Sequence, residues 1–138
     1  KTNEVAYTGS DIEKENRFVK IKFISNVANS APLYFEPAVT EMVVQVGKPY
    51  NTHYVMKNNS AKQLHTTASP SVTPGKFAEY FKKIECFCFN QQTIDSGEVK
   101  DLGIQFVVDN DLPKNIGDIV LSYTMFDITN KVVEANNL

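Results

Sequence analysis

The chain has little of several residue types: no tryptophan, two cysteines, two histidines and, in Arg17, one arginine among 138 residues. Without a Cys…Trp…Cys pattern nothing supports an antibody-type domain. The sequence has no run of about 18 apolar residues, the length that would predict a membrane-spanning helix, and no signal peptide is recognisable at its start. The formal charge of −2 predicts no basic face and therefore no nucleic-acid partner.

Catalytic signatures are also missing, because the sequence has no G-x-S-x-G, no H-E-x-x-H and no phosphate loop. His53 and His65 fall in predicted strands of the same region. A Cys–His nucleophile pair stays open, since such partners meet in space rather than in sequence. A structural or solvent-facing role is the default for both histidines, although either could complete a zinc site. We therefore predict that the protein is not an enzyme.

What the sequence does contain is a series of short alternating segments separated by turn residues, which is typical of β-strands. Residues 1–16 are polar and predict a flexible linker, and residues 130–138 a loose tail. We expect prolines 70 and 74 to lie in turns, residues 75–83 to form one or two helical turns, and residues 90–97 to be a polar connection. The predicted strands are 17–27, 33–37, 40–46, 50–57, 62–68, 84–89, 102–108 and 119–125. This pattern favours an all-β, antiparallel sandwich in one domain over residues 17–129.

Both cysteines lie in the run KIECFCF at residues 83–89. Because side chains alternate along a strand, Cys86 and Cys88 are expected to point one way and Phe87 and Phe89 the other. Residues two apart on a strand are about 6.5 Å from each other, whereas a disulfide needs Cβ atoms about 3.8 Å apart. The spacing therefore disfavours a disulfide within the motif.

Two interpretations of the cysteines remain. In one they are small core residues, because free cysteine is often buried. In the other, Phe87 and Phe89 anchor the strand in the core and both sulfurs lie at the rim, where thiolates select Cu(I), zinc or iron–sulfur. Zinc usually takes four ligands, whereas two or three satisfy Cu(I). The motif alone thus favours Cu(I), or a site that a second chain completes.

Further motifs flank the cysteines over roughly residues 18 to 127. They are YFEP at 34–37, GK at 47–48, VTP at 72–74, YFKK at 80–83, the glutamines at 91–92, GE at 97–98, FVVD at 106–109 and LSYT at 121–124. Together with KIECFCF, this combination resembles the CtaG family, the copper chaperones of cytochrome c oxidase assembly.

The resemblance implies an immunoglobulin-like β-sandwich, the soluble, copper-binding domain of a protein that a single N-terminal transmembrane helix, absent from this chain, anchors in a membrane. It places the domain in the bacterial periplasm at the inner membrane, or on the mitochondrial inner membrane facing the intermembrane space. The implied function is to receive Cu(I) from an upstream copper donor protein and deliver it to the CuB centre of cytochrome c oxidase subunit I.

The resemblance also assigns roles to residues. Cys86 and Cys88 would be the copper thiolates, and Phe87 and Phe89 would anchor the motif. Lys83 matches a functionally important family position, where a lysine would lower the pKa of the thiols or meet an acidic partner surface. A solvated strand end explains Lys83 equally well.

Two departures from the family pattern matter. The family commonly has another cysteine after the membrane helix; here it lies upstream of Lys1 or is absent. With two thiolates per chain, a copper-bridged homodimer is the expected assembly. The family also often has a methionine where this chain has Leu102, which cannot ligate copper. Met56 and Met125 are predicted to be core residues.

Three hypotheses follow from the sequence: a Cu(I) metallochaperone, a thiol redox protein that cycles Cys86 and Cys88, and an immunoglobulin-like interaction module with buried cysteines. Strand geometry disfavours the redox protein. The interaction module predicts that neither thiol reacts in the folded protein.

Overall fold

The computed structural model describes residues 17–86, 90–114 and 116–136, without the side chains of residues 83, 84, 86 and 134–136. Two β-sheets make up most of this part of the chain, which confirms the all-β class. The strands in chain order are β1 (Phe18–Val27), β2 (Leu33–Pro37), β3 (Glu41–Gln45), β4 (Pro49–Asn58), β5 (Leu64–Thr73), β6 (Phe81–Cys86), β7 (Gln92–Ile94), β8 (Val99–Val108) and β9 (Ile119–Asp127).

One sheet has the strand order β3-β1-β9-β5-β7 and the other β2-β4-β8-β6. Neighbours pair antiparallel, except that β1 and β9 run parallel, with Phe23 opposite Leu121. Parallel neighbours need a long connection, and here all the strands from β2 to β8 lie between them. The predicted sandwich is therefore confirmed, with one parallel pair that the sequence did not predict.

Alternating hydrophobic residues build the core between the sheets, as predicted. In β9 the inward residues Ile119, Leu121, Tyr123 and Met125 are each 0% exposed. The inward faces of the other strands supply Val19, Ile21 and Phe23 from β1, Leu33 and Phe35 from β2, Tyr54 and Met56 from β4, and Leu102, Ile104, Phe106 and Val108 from β8. Met56 and Met125 are thus confirmed as core residues.

Two tyrosines meet in the middle of this core. The rings of Tyr54 and Tyr123 lie edge to face with centroids 5.2 Å apart, and the Tyr54 hydroxyl donates a hydrogen bond of 3.1 Å to the carbonyl of Ile24. Burial raises the pKa of the Tyr123 phenol to about 12. The pKa of Tyr54 is also raised, chiefly by burial and then by Tyr123.

Two elements differ from the sequence predictions. Pro70 was predicted to lie in a turn, but β5 continues through it opposite Tyr123. Proline is tolerated there because β7 covers β5 only from Leu64 to Thr66, so this half of β5 is a sheet edge in the described structure. The polar connection at 90–97 contains the short strand β7, whose Ile94 is fully buried. The helical turns predicted over 75–83 are confirmed as a 3₁₀ segment at Gly75–Tyr80, whereas residues 81–83 already belong to β6.

The segment predicted to be a loose tail forms a helix, α1 (Thr129–Asn136). Its start is fixed by hydrogen bonds: the Asp127 carboxylate accepts the Thr129 amide at 2.9 Å, and the Thr129 hydroxyl accepts the His65 amide at 3.0 Å. The first bond is a local cap and the second is a tertiary contact, of the kind that a helix this short depends on. In the residues described, no helix is long and apolar enough to cross a membrane. The predicted linker at 1–16 lies outside them.

Candidate metal-binding site

The strand that leads into the cysteine motif is β6, which lies at the edge of the four-stranded sheet. It pairs with β8 on one side, with Phe81 opposite Val108 and Cys86 opposite Ile104. On its other side the described residues place no strand. An edge strand leaves one row of backbone groups and its outer side accessible. The strand that leads into the motif is therefore accessible to a partner protein.

The pairing of β6 is interrupted by a bulge. Lys82 lies opposite Val107 and Glu85 opposite Gln105, so three steps along β6 match two along β8. Lys83 falls within this bulge. A bulge twists an edge strand and discourages another strand from adding to it. The backbone before Cys86 is therefore a poor template for simple strand pairing.

The start of β6 is firmly attached to the core. Phe81 is 7% exposed, and its ring centroid lies 5.9 Å from that of Phe106. The carbonyl of Tyr80, just before the strand, accepts the Asp109 amide at 2.7 Å. These contacts fix where β6 begins, and Cys86 is the residue at its other end.

The residues after the motif return to the opposite sheet. Residues 87–91 connect Cys86 in β6 to Gln92 in β7, an edge strand of the five-stranded sheet. Cys86, the last residue of β6, therefore stands where the chain leaves one edge strand for another. The strand predicted over 84–89 is confirmed through Cys86.

A buried asparagine fixes the far end of this connection. Asn58 is 0% exposed, and its amide nitrogen donates to the carbonyls of Ile94 at 2.9 Å and Lys62 at 2.8 Å. Its amide oxygen accepts the backbone amide of Ser60 at 2.8 Å and the Ser60 hydroxyl at 2.7 Å. Asn58 begins a glycosylation sequon by pattern, but here its side chain is used entirely in bracing this turn against β7.

Several predicted site residues fall outside the described part of the structure. Phe87, Cys88 and Phe89 are not described, and for Lys83 and Cys86 only the backbone is. The predictions that both sulfurs lie at the rim, that both phenylalanines pack inward and that Lys83 tunes the thiols therefore stay predictions.

The two histidines lie in different sheets. His53 lies in β4 opposite Gly103, and His65 lies in β5 with its Nδ1 3.2 Å from the Thr93 hydroxyl. Because β8 separates β4 from β6, the backbones at His53 and Cys86 are about 10 Å apart, at about 4.8 Å per strand. No group of three His, Cys, Asp or Glu side chains that could hold a metal occurs among the residues described. The part of the chain that is visible therefore offers no alternative metal centre to the cysteine motif.

The outer surface beside the motif is polar and charged. Asn51, Gln105 and Glu85 form one row across β4, β8 and β6, and Lys82 and Glu85 are exposed.

Neither Glu85 nor Gly103 was predicted from the sequence to be a feature of this surface. A signal for Gly103 existed, because a glycine interrupts the alternating run LGIQFVV, and a glycine inside a strand often marks a close approach of another backbone or ligand.

The fold and the motif define a class of protein: a β-sandwich domain with a C-x-C motif whose first cysteine ends an edge strand. A family model described as "Cytochrome c oxidase assembly protein CtaG/Cox11" matches residues 1–127. The chain therefore belongs to the CtaG/Cox11 family, as its motifs predicted.

Individual relatives agree with the family match. The cytochrome c oxidase assembly protein CtaG of Bradyrhizobium sp. (strain ORS 278) is 33% identical over 132 residues, covering 92% of this chain and 60% of the relative. The mitochondrial cytochrome c oxidase assembly protein COX11 of Saccharomyces cerevisiae is 38% identical over 120 residues, covering 83% of this chain and 40% of the relative. The CtaG of Brucella ovis is 35% identical over 118 residues, covering 82% and 59%. The chain thus spans 40% to 60% of the length of these relatives.

Proposed function

We propose that this domain is a Cu(I) metallochaperone of cytochrome c oxidase assembly, which binds copper through Cys86 and Cys88 and delivers it to the CuB centre of subunit I. One observation supports the proposal: a C-x-C motif whose first cysteine is the last residue of an edge strand, in a chain whose relatives are named as oxidase assembly proteins. The proposal takes both thiolates to be accessible, which suits a metal that must be both received and released.

The chemistry of the motif favours Cu(I) as the cargo. Thiolates are soft ligands and select Cu(I), and two of them satisfy its low coordination number. Each thiol must lose its proton to bind the metal, so copper uptake releases protons and weakens as the pH falls. Delivery then exchanges one set of ligands for another, and copper stays Cu(I) throughout.

Lys83 adjusts this chemistry in the proposal. A lysine three residues before Cys86 places positive charge near the thiols, which lowers their pKa and favours the thiolate. Exposed Lys82 adds a second ammonium group close in sequence. The same charge is available to an acidic surface on a partner.

The proposed assembly is a copper-bridged homodimer, in which two chains supply four thiolates. The proposed partners are an upstream copper donor and oxidase subunit I. An N-terminal membrane helix outside this chain would hold the domain at the bacterial inner membrane, facing the periplasm, or at the mitochondrial inner membrane, facing the intermembrane space. The relatives are longer than the stretch they share with this chain, which leaves room for such an anchor.

An anaerobic Cu(I) titration of the reduced protein tests the proposal. A chelator of known affinity competes for the metal, and light scattering reports mass in the same samples. We expect tight uptake of about one copper per chain with a shift toward dimer, because two thiolates from each subunit complete a four-sulfur site.

Matched variants make the titration decisive. The double variant Cys86→Ser, Cys88→Ser should lose tight uptake and the shift in mass, whereas His53→Ala and His65→Ala should keep both. Uptake by the double-serine variant equal to that of the native chain would refute the copper role of the motif. Loss of uptake in a histidine variant would assign the metal to a different ligand set.

A further inference from the structure

The outer face of the four-stranded sheet carries two adjoining depressions beside the motif. One has a volume of about 510 Å³ and is lined by Lys82, Val107 and Asp109, among others. The other, of about 410 Å³, is lined by Asn51 and Gly103. Glu85 and Gln105 line both, so the two adjoin at these side chains. We call the two adjoining depressions together the outer groove. It spans β4, β8 and β6, a width of about 10 Å, which suits a single extended chain.

Gly103 leaves the floor of the outer groove without a side chain. Its φ lies outside the left-handed region, and a Cβ added there would meet no described atom within 4 Å. Neither backbone conformation nor packing therefore requires glycine in this strand, where glycine costs about 0.5–1 kcal/mol relative to alanine. What glycine provides is a flat surface that another backbone can approach closely.

The charge of the outer groove is not balanced within the described residues. Glu85 and Asp109 face one lysine, Lys82, among its lining residues. Two ion pairs lie on the other sheet, between Lys20 and Glu41 at 3.8 Å and between Lys22 and Asp118 at 3.0 Å. The groove thus has one more carboxylate than ammonium group among its described lining residues, and one of its carboxylates, Glu85, comes directly before Cys86 in the chain.

We infer that the outer groove, at Glu85 and Gly103, is a docking site for a basic, extended segment of the protein with which this domain exchanges copper. A lysine or arginine of that segment pairs with Glu85 while its backbone lies over Gly103. The amides of Asn51 and Gln105 offer donors and acceptors on the same row. The identity of the partner as a copper-exchange protein rests on the proposed function; the chemistry of the docked segment rests on the groove.

Peptide binding to the full, reduced chain tests this inference. The probe is an acetylated and amidated seven-residue peptide of alternating valine and threonine with arginine at its centre, and the control peptide carries neutral citrulline instead. Backbone amide shifts of the labelled protein report where each peptide binds. We expect the arginine peptide to shift the amides of Glu85, Gly103 and Gln105, and the citrulline peptide to bind less tightly.

Variants of the chain sharpen the test. Glu85→Gln should weaken binding of the arginine peptide by up to about fivefold, the upper end of the range for one exposed charge pair. Glu41→Gln changes the net charge equally on the other sheet and should leave binding unaltered. Gly103→Val should fill the groove floor and abolish the shifts, and we expect the protein to stay folded because a Cβ added at this position meets no described atom within 4 Å.

Each result decides the inference. Equal binding of the two peptides, or equal effects of Glu85→Gln and Glu41→Gln, would overturn it. Shifts of the same amides on raising the protein concentration alone would also overturn it, by assigning the face to a second copy of this chain. Cu(I) titration of the same samples separates the two proposals, because failure of the native chain to bind copper would remove the copper role and leave the docking result standing.

Discussion

Replacing Asn58 by alanine should destabilise the whole domain, although Asn58 lies in a turn. Its side chain is fully buried and makes four hydrogen bonds of 2.7–2.9 Å. Two of them end on Ser60 in the same turn, one on the carbonyl of Lys62 and one on the carbonyl of Ile94. The last bond joins the end of β4 to β7 and thereby fixes the point where the chain returns after the cysteine motif.

The size of the loss in the free energy of unfolding depends on which hydrogen-bond partners of Asn58 water can reach after the substitution. The two bonds to Ser60 lie at a turn where water can replace the amide. The Ile94 carbonyl accepts its hydrogen bond from the fully buried side chain of Asn58, and a buried acceptor left without a donor costs about 1–3 kcal/mol. Losing the bond to Lys62 adds about 1 kcal/mol. We therefore expect Asn58→Ala to lower the free energy of unfolding by about 3 kcal/mol, a large share of the roughly 5–15 kcal/mol typical of a domain.

Equilibrium urea unfolding, followed by fluorescence of the tyrosines, measures this loss. With a slope of about 2 kcal/mol per molar urea, the midpoint should fall by about 1.5 M. Asn59→Ala is the matched control, because the neighbouring asparagine is exposed, and it should change stability by less than about 0.5 kcal/mol. Asn58→Asp retains the acceptor for Ser60 but sets a carboxylate against two carbonyls, so it should destabilise more at neutral pH than at acid pH. If Asn58→Ala and Asn59→Ala unfold alike, the bracing role of Asn58 is wrong.

Three further predictions follow from the same structure. Phe81→Ala should cost about 3 kcal/mol in urea unfolding because Phe81 is buried against Phe106; Phe18→Ala, at a position 57% exposed, is the control, and equal losses would contradict the packing argument. Gly103→Ala should raise the free energy of unfolding by about 0.5–1 kcal/mol, since the added Cβ meets no described atom within 4 Å; a loss of stability would show that glycine is required there. Burial raises the pKa of Tyr123 from its ordinary value of 10.0 to about 12. The contribution of Tyr123 to the free energy of unfolding should therefore be constant below pH 10 and fall above it, by about 2–3 kcal/mol at pH 12. Tyr123→Phe should flatten that decline, and an unchanged slope would exclude Tyr123 as its source.

Strands whose side chains alternate between core and solvent were predictable from the sequence. β9 is the clearest, because its four inward residues are all apolar or aromatic and all fully buried. β7 was not predicted because it has only three residues, of which Ile94 alone is aliphatic. Such a short segment shows no alternation of apolar and polar residues. Pro70 misled the prediction because proline disfavours a paired strand, and the sequence does not tell that β5 is uncovered beyond Thr66.

Features held by contacts between distant residues were not predictable in the same way. The helix after β9 depends on Thr129 bonding to His65, 64 residues earlier. The parallel pairing of β1 with β9 likewise joins the two ends of the domain. For the candidate site, residue type and spacing alone predict soft-metal chemistry for the two cysteines, and this stays a prediction. That Cys86 ends an edge strand could not be predicted, because the sequence does not state strand order.

The chain is anchored to the core on both sides of the cysteine motif. Phe81 and the Tyr80 carbonyl hold the chain before it, and Asn58 holds the chain after it through Ile94. Between these two attachments the bulge at Lys82–Glu85 makes β6 unsuitable for adding a partner strand in regular register. A partner is then selected by side chains rather than by a backbone ladder, and Glu85 is the exposed charge nearest in sequence to Cys86. Under the proposed function, recognition at the outer groove and ligand exchange at the cysteines are adjacent but separable, so Glu85→Gln should impair partner binding while copper uptake remains intact.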